Sequence, residues 1–456
     1  SIISTSDGKD VTLTNTTLTA TNATNGSITV RAKNAVNTKG SSLTAGDGLT
    51  INAENAANEL ESSTLQGKNV NISGVGITVS KSEGTGAAAP SVIATAGNVA
   101  LNSTAGIGVS DASITANIGG ISVISTDANS DVTLTNAAMT AGAAIEINSG
   151  KALNVSEGSM TADSNIELVA ASAVEVGNSK LQGENVSISG KGITISDDDA
   201  ATPTIKATAG GVTLTSTGDG NDVTLTGATL KADNTTSGNI TVQTGNAIGV
   251  TGGSMTAGKD ITLKAENAGI TVSGTTLTNK EGNGGNIDLL AGSVDGTGWS
   301  AIENNALEVT GATVNAAGAV TAKSGKTDIA TSSITAGGNV NVTAVGTDGD
   351  ASHVNVDKST ITGAGVAISG KGIKVDKKEG ISENNSTITA NTGDVTLTTN
   401  TNIAVNNANI TAKGKADLVA ATGINVANTS VTATDKGISI ISTSDGKDVT
   451  LTNTTL

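Results

Sequence analysis

The chain has 456 residues, of which 41 are acidic and 25 basic, and its formal net charge is −16. It has no cysteine, phenylalanine or tyrosine and only one tryptophan and one histidine, which excludes disulfide scaffolds, thiolate metal sites and ring-filled globular cores. The acidic balance also opposes nucleic-acid binding, because phosphate contacts need clustered Lys and Arg. With 36% hydrophobic and 14% charged residues, however, the chain is apolar enough to fold. No apolar run approaches the roughly 20 residues of a membrane-spanning helix, so we expect no membrane insertion.

The first eighteen residues recur without change near the C-terminal end. Residues 1–18 and 439–456 share the sequence SIISTSDGKDVTLTNTTL, at an offset of 438 residues. Self-similarity at a fixed period is typical of repeat architectures. We therefore expect residues 1–456 to form a single continuous body, with residues 1–438 as one large repeat and residues 439–456 as the start of the next. The expected partners are identical repeat units placed end to end, in the same chain or in neighbouring subunits.

A shorter repeat runs along the whole chain and begins with two apolar residues two positions apart. In coils such as the one starting at Val99, apolar residues stand at offsets 0, 2, 8, 10 and 15 from the start. Spacing of two is the alternation of a β-strand, and nothing repeats at 3.6 residues. Each coil is therefore predicted to hold three short strands separated by Gly, Asn, Asp and Ser corners. In chain order the coils start at Ile28, Leu49, Val70, Val99, Ile121, Ile145, Ile166, Val186, Val212, Ile240, Ile261, Ile287, Val320, Val340, Val366, Val395, Ala416 and Ile438.

Three strands per turn in about 19 stacked coils predict an all-β fold, a triangular parallel β-helix with a core of Val, Ile and Leu. No single coil can bury its own apolar face, so stability should come from neighbouring coils. Residues 65–79, 181–195 and 361–375 align without gaps, and an insertion follows each of them. This longer-range similarity supports one shared register for the coils.

The side chains offer little for catalysis. Polysaccharide-cleaving β-helices need convergent carboxylates with Arg or Lys nearby, whereas the carboxylates here lie mostly at corners and Arg31 is the only arginine. The segment 127–131 mimics the start of a calcium loop but lacks its glycine and its closing glutamate. The clusters at 197–199, 219–222 and 348–350 are interpreted as solvated loop charges. We expect no catalytic residue, no cofactor and no metal site.

Three further features each have a local interpretation. Trp299 lies in the longest coil, where an exposed indole could contact a sugar or a neighbouring fibre, or could pack locally on the shaft. His353 lies in another insertion and is predicted to be a surface residue. Thr-x-Thr pairs such as Thr12 and Thr14 are predicted to be outward strand residues, because Asn, Lys, Glu and Ser are expected to interrupt any regular threonine array.

The segments that precede many coil starts share the pattern S-x-[LIM]-T-A-G, as at residues 41–46 and 332–337, with Gly in the first position at residues 253–258. Together with the paired apolar residues, this pattern resembles the haemagglutinin repeats of filamentous haemagglutinin-like exoproteins. Those are large bacterial adhesins exported by two-partner secretion. The resemblance implies a right-handed parallel β-helix and an extracellular or cell-surface location in a bacterium.

The sequence therefore favours a non-enzymatic extracellular protein, the shaft of a filamentous adhesin or surface fibre, with an unidentified receptor or glycan as a further partner. One alternative is a filament in which separate 438-residue subunits stack end to end through exposed strands. A second alternative, from a different class, is a carbohydrate-active β-helix enzyme. A cleft lined by convergent carboxylates and Lys would support the enzyme, whereas outward faces of Thr, Asn and Ser would count against it.

Overall fold

The computed structural model describes residues 1–84, 86–197, 201–218, 220–280, 284–295, 298–302, 305–346, 353–376 and 385–456. All regular structure in these ranges is β-strand. The strands form parallel sheets wound into a β-solenoid of about 19 turns, which confirms the all-β prediction with three strands per coil. None of the described residues belongs to a helix that could cross a membrane.

The chain divides into two compact units, Ser1–Thr215 and Ser216–Leu456, and the division falls inside β28. In the first unit, every third strand belongs to the same sheet, so β1, β2 and β3 begin sheets A, B and C. The strands are β1 (Ile2–Ser4), β2 (Val11–Thr14), β3 (Thr17–Ala20), β4 (Ile28–Ala32), β5 (Val36–Lys39), β6 (Ser42–Ala45), β7 (Gly48–Ala53), β8 (Ala57–Glu61), β9 (Thr64–Gly67), β10 (Asn69–Gly74), β11 (Gly76–Ser80), β12 (Ser91–Ala94), β13 (Val99–Ser103), β14 (Ile107–Ser110), β15 (Ser113–Ala116), β16 (Ile121–Ser125), β17 (Val132–Thr135), β18 (Ala138–Ala141), β19 (Ile145–Ser149), β20 (Leu153–Ser156), β21 (Ser159–Ala162), β22 (Ile166–Ala170), β23 (Val174–Gly177), β24 (Lys180–Gly183), β25 (Val186–Gly190), β26 (Ile193–Ser196), β27 (Thr204–Ala207) and β28 (Val212–Ser216).

The second unit repeats the order of sheets and adds one strand, β38, outside the parallel ladder. Its strands are β29 (Val223–Thr226), β30 (Thr229–Ala232), β31 (Ile240–Thr244), β32 (Ile248–Thr251), β33 (Ser254–Ala257), β34 (Ile261–Ala265), β35 (Ile270–Ser273), β36 (Thr276–Asn279), β37 (Ile287–Asp295), β38 (Gly298–Ala301), β39 (Ala306–Thr310), β40 (Thr313–Ala316), β41 (Val320–Ser324), β42 (Lys326–Ala330), β43 (Ser333–Ala336), β44 (Val340–Ala344), β45 (Val354–Asp357), β46 (Thr360–Gly363), β47 (Val366–Gly370), β48 (Ile373–Asp376), β49 (Ser386–Ala390), β50 (Val395–Thr399), β51 (Asn402–Asn406), β52 (Ala408–Ala412), β53 (Lys415–Ala420), β54 (Gly423–Ala427), β55 (Ser430–Ala433), β56 (Gly437–Ser442) and β57 (Val449–Thr452).

Strand pairing places each coil in register with the next. Val70 pairs with Leu49 on one side and with Val99 on the other. Ile72 pairs in the same way with Ile51 and Leu101. Since side chains alternate along a strand, these residues all point inward and build columns of branched apolar side chains.

The core follows the predicted offsets. The five apolar residues of the coil that starts at Val99 are all at most 2% exposed, and so are those of the coils that start at Ile145 and Ile240, except Val250 at 3%. Residues 65–79, 181–195 and 361–375 each form the end of a C strand, a whole A strand and most of a B strand. The sequence similarity among the three segments therefore reflects one common coil geometry.

The corner between sheets B and C depends on a left-handed backbone position. Asn15, Asn136 and Asn407 have φ values of 47°, 47° and 49° there, a region in which Asn and Gly are the favoured residues. A small residue follows, which is buried at Ala137 and Ala408. Where this residue is Ser or Thr, its hydroxyl hydrogen-bonds a neighbouring coil. Ser332 Oγ, for example, accepts a hydrogen bond from the Ala312 amide at 3.1 Å and donates to Val309 O at 3.0 Å.

Candidate functional site

Trp299 belongs to a β-hairpin rather than to a loop. Strand β37 continues beyond its parallel partners to Asp295 and pairs antiparallel with β38, where Val294 lies opposite Trp299. The insertion in the longest coil is therefore an added pair of strands. The side chains of residues 293–301 lie outside the described part, so the predicted contact role of Trp299 stays a prediction.

His353 is buried, and the prediction of a surface histidine is wrong. The residue is 0% exposed and immediately precedes β45. Its amide donates to Gly372 O at 3.0 Å, and its carbonyl accepts a hydrogen bond from the Thr327 amide at 2.8 Å. His353 thus continues the ladder of sheet B, and the coils on both sides cover it. Sequence reasoning missed this because the insertion before β45 hides where the strand pattern resumes.

The structure describes only some of the acidic clusters singled out in the sequence. In the segment 127–131, Asp127 accepts hydrogen bonds from Ser130 Oγ at 2.6 Å and from the Asn129 amide at 3.2 Å, and these bonds lower its pKa. Such a local turn satisfies the carboxylate within the chain. Asp197 is described, whereas residues 198–199, 219 and 348–350 lie outside the described residues. Among the described residues, no group of three or more His, Asp or Glu side chains could hold a metal ion.

Other carboxylates join one coil to the next. Asp10 Oδ1 accepts hydrogen bonds from the Ala35 amide at 3.0 Å and from Asn34 Nδ2 at 2.7 Å, and both bonds lower the pKa of Asp10. Asp394 Oδ1 accepts one from the Lys415 amide at 2.7 Å, which lowers its pKa in the same way. Asn286, whose amide donates to Asp260, itself accepts a hydrogen bond from the Ala319 amide. Each of these side chains satisfies a backbone N–H at a corner, which is a structural task.

Charged side chains are common on the outer faces of sheets A and B. Arg31 and Lys33 both pair with Glu54 on one face of the first unit. In the second unit, Lys264 pairs with Glu266 at 2.9 Å. Exposed pairs of this kind contribute little to stability, because water and salt screen them. They mainly keep these faces hydrated and soluble.

Beyond β30, whose outward Lys231 pairs with Thr256, the outer face of sheet C in the second unit has a different composition. It has two columns of outward side chains, paired strand by strand without offset from β33 to β55. None of its members is charged, and none has a side-chain hydrogen bond within the described part of the chain. We name this surface the hydroxyl face; one column contains Ser254, Thr276, Thr313, Ser333, Thr360, Thr387, Asn409 and Ser430, and the other Thr256, Thr278, Asn315, Thr335, Thr362, Thr389, Thr411 and Thr432.

As expected, Ser and Asn interrupt the threonine columns of this sheet, whereas the expected Lys and Glu are absent from β33 to β55. Thr12 and Thr14, the pair on which the expectation rested, belong to sheet B, where Asn37 and Lys39 lie beside them on the next strand. On sheet C, unequal coil lengths hide the columns in the sequence and only the pairing register aligns them. The sequence pattern that could have revealed the columns is a Ser or Thr followed two residues later by a Thr, which recurs just before the corner after sheet C.

Two shallow grooves in the second unit carry polar groups. One, of about 520 Å³, lies where the hydroxyl face meets the next corner and is lined by Thr278, Asn315 and Thr335 together with buried and corner residues such as Asn279 and Ala317. The other, of about 360 Å³, lies on sheet B, where Asp357 and Asp376 are register neighbours and Lys374 Nζ is 3.6 Å from Asp376 Oδ2. The second groove combines two carboxylates and a lysine, as the enzyme alternative requires.

No family model, no curated protein and no solved structure matches this chain.

Proposed function

We propose that this chain is a structural shaft, part of an extracellular fibre or stalk of the filamentous haemagglutinin type on a bacterial surface. The observation that carries the proposal is the ladder of coils. Strand after strand within each unit hydrogen-bonds the equivalent strands one turn before and one turn after. Val123, for example, is 0% exposed and pairs with Leu101 on one side and Ile147 on the other. A protein built from such hydrogen-bonded coils transmits force from one coil to the next, and this role needs no reactive side chain.

The duplicated segment supports a succession of repeats. Residues 1–18 and 439–456 take the same backbone conformations, with φ of 68° at Gly8 and 69° at Gly446. The first copy already serves as a template, because β4, β5 and β6 pair on β1, β2 and β3. A following repeat would find the same template in the second copy. This supports the proposal that identical units follow one another in one shared register.

Cell-surface labelling tests the proposal directly. Antibodies raised against the 456-residue chain should label filaments on intact cells of the source organism in immunogold electron microscopy. External protease should remove that signal. Labelling only after permeabilisation would refute the extracellular role. The intact mass of the native antigen separates the two structural versions, since a mass near 44.1 kDa indicates stacking subunits and a far larger one indicates tandem repeats.

The groove on sheet B favours a second candidate function, polysaccharide cleavage. General acid and base chemistry on a glycosidic bond needs two carboxyl groups at a defined separation, and Asp357 and Asp376 lie on adjacent strands. The test is release of reducing ends from a panel of acidic and neutral polysaccharides, compared between the wild type and Asp376→Asn. Activity that Asp376→Asn abolishes would establish the enzyme. Equal, background release from both proteins would leave the shaft as the function.

A further inference from the structure

We infer that the hydroxyl face binds ice. This inference does not rest on the shaft proposal, because it concerns one outer face of the second unit. It starts from three observations: the two columns are in register, they lack charge, and their side chains have no hydrogen-bond partner within the described chain.

The spacing of the hydroxyl groups is set by the backbone. Neighbouring strands of a sheet lie about 4.8 Å apart and outward residues recur every ~6.6 Å along a parallel strand. Two O–H···O bonds of about 2.75 Å that meet at a tetrahedral oxygen place second-neighbour water oxygens ~4.5 Å apart. The repeat along each column is therefore close to the repeat of ordered water. The difference of ~0.3 Å per strand adds up to ~2 Å over the eight strands, so short runs of neighbouring strands, and not a whole column at once, match the ordered water.

The side chains themselves are suited to a fixed lattice. Threonine is branched at Cβ and prefers few χ1 rotamers, so a Thr column presents hydroxyl and methyl groups at defined positions. Behind them, Ile334, Ile361 and Ile388 are at most 1% exposed and hold the strands on the core. Eleven of the sixteen side chains are threonine, so the face loses little conformational entropy when it meets an ordered surface.

The composition also selects among possible occupants. A charged surface or a nucleic acid would need ionic partners, and this face has none. Sugar rings are commonly held by aromatic side chains, which are absent from these positions. Groups that donate and accept hydrogen bonds without charge or ring stacking match a lattice of water molecules. The acidic chain, with its net charge of −16, nevertheless leaves this face neutral.

The experiment uses the whole 456-residue chain. Thermal hysteresis and crystal shape are recorded in a nanolitre osmometer, together with the fraction of protein that enters slowly growing ice. Thr335→Lys places a charge in the middle of the face at an exposed strand position. Thr271→Lys is the matched control, since it is an equally exposed threonine on sheet B of the same unit. Circular dichroism melts confirm that both variants are folded.

The wild type and Thr271→Lys should shape ice and partition into it. Thr335→Lys should lose about tenfold or more of the effect, because a lysine pressed against ice must give up hydration, and Thr335→Ser should retain most of it. Absence of ice shaping by the wild type, or equal behaviour of the two lysine variants, would overturn the inference. The wild type could instead bind microcrystalline cellulose or self-associate without shaping ice. If Thr335→Lys abolished that binding or self-association, the ice inference would be overturned and the hydroxyl face would be assigned to the other partner.

Discussion

Thr331 should be a point of stored backbone strain. It occupies the left-handed position of a B-to-C corner with φ of 48°, where Gly311 and Asn407 stand in other coils. The left-handed conformation costs an L-residue about 1–2 kcal/mol, and a β-branched residue tolerates it least. The side chain of Thr331 is exposed and its amide bonds Asp357 O at 2.9 Å, a bond that any residue keeps. We therefore expect Thr331→Asn to raise the free energy of unfolding by about 1 kcal/mol.

Calorimetry and urea denaturation of the full chain measure this change. A gain of about 1 kcal/mol in a unit of this size raises the thermal midpoint by ~2–4 °C. Thr310→Asn is the matched control, because this exposed threonine ends the extended strand β39 and has no strain to relieve. Asn407→Thr should cost about as much as Thr331→Asn gains. If Thr331→Asn behaves like Thr310→Asn, or lowers the midpoint, the strain argument fails.

The remaining predictions concern the core and two carboxyl groups. Ile361→Ala removes a fully buried side chain and should destabilise the protein by about 2–5 kcal/mol in urea titrations, whereas Thr362→Ala next to it should change stability by less than ~0.5 kcal/mol. Burial raises the pKa of the Asp288 carboxyl above its usual 3.8. The protonated carboxyl is therefore favoured in the folded protein, and the stability that it contributes is fully present below pH 3.8 and is lost as the pH rises through the raised pKa. Asp288→Asn should therefore raise the urea midpoint at pH 7 and leave it unchanged at pH 3; a loss at pH 7 would contradict this. The Lys415 amide lowers the pKa of Asp394, so its contribution is present above 3.8 and is lost as the pH falls through the lowered pKa. Asp394→Ala should lower the midpoint more at pH 7 than at pH 2, and equal effects at both values would disprove the role of its charge.

The sequence predicts the coils well because their signal is local. Two inward residues on one strand, as at Ile145 and Ile147, must be two positions apart in any coil, and both are fully buried. The insertions could not be predicted in this way. The antiparallel pair β37–β38 and the buried His353 both follow from how the chain returns to the ladder after extra residues. That return depends on contacts with neighbouring coils, which a single stretch of sequence does not contain.

The hydroxyl face was hidden for a related reason. Thr278 and Asn315 are register neighbours, yet 37 positions separate them in the chain, while Thr335 follows Asn315 by only 20. A search at one fixed period therefore breaks the column at every long coil. The pieces of the pattern are readable in the sequence, but their alignment is a property of strand pairing.

The corners explain how irregular coils can build a regular face. Asp260 and Asn286 each hold a backbone N–H of the following coil, although 26 positions separate the first donor and acceptor and 33 the second. Since these bonds hold each corner on the neighbouring coil, residues added at a corner leave the register of the strands unchanged. Loop closure also becomes only slowly more costly with length, by about 0.6 kcal/mol for each doubling. The fold therefore tolerates insertions at its corners while Thr362 and Thr389 stay aligned on sheet C. We expect a substitution in an insertion and a substitution in the hydroxyl face to have additive effects on the free energy of unfolding and on binding.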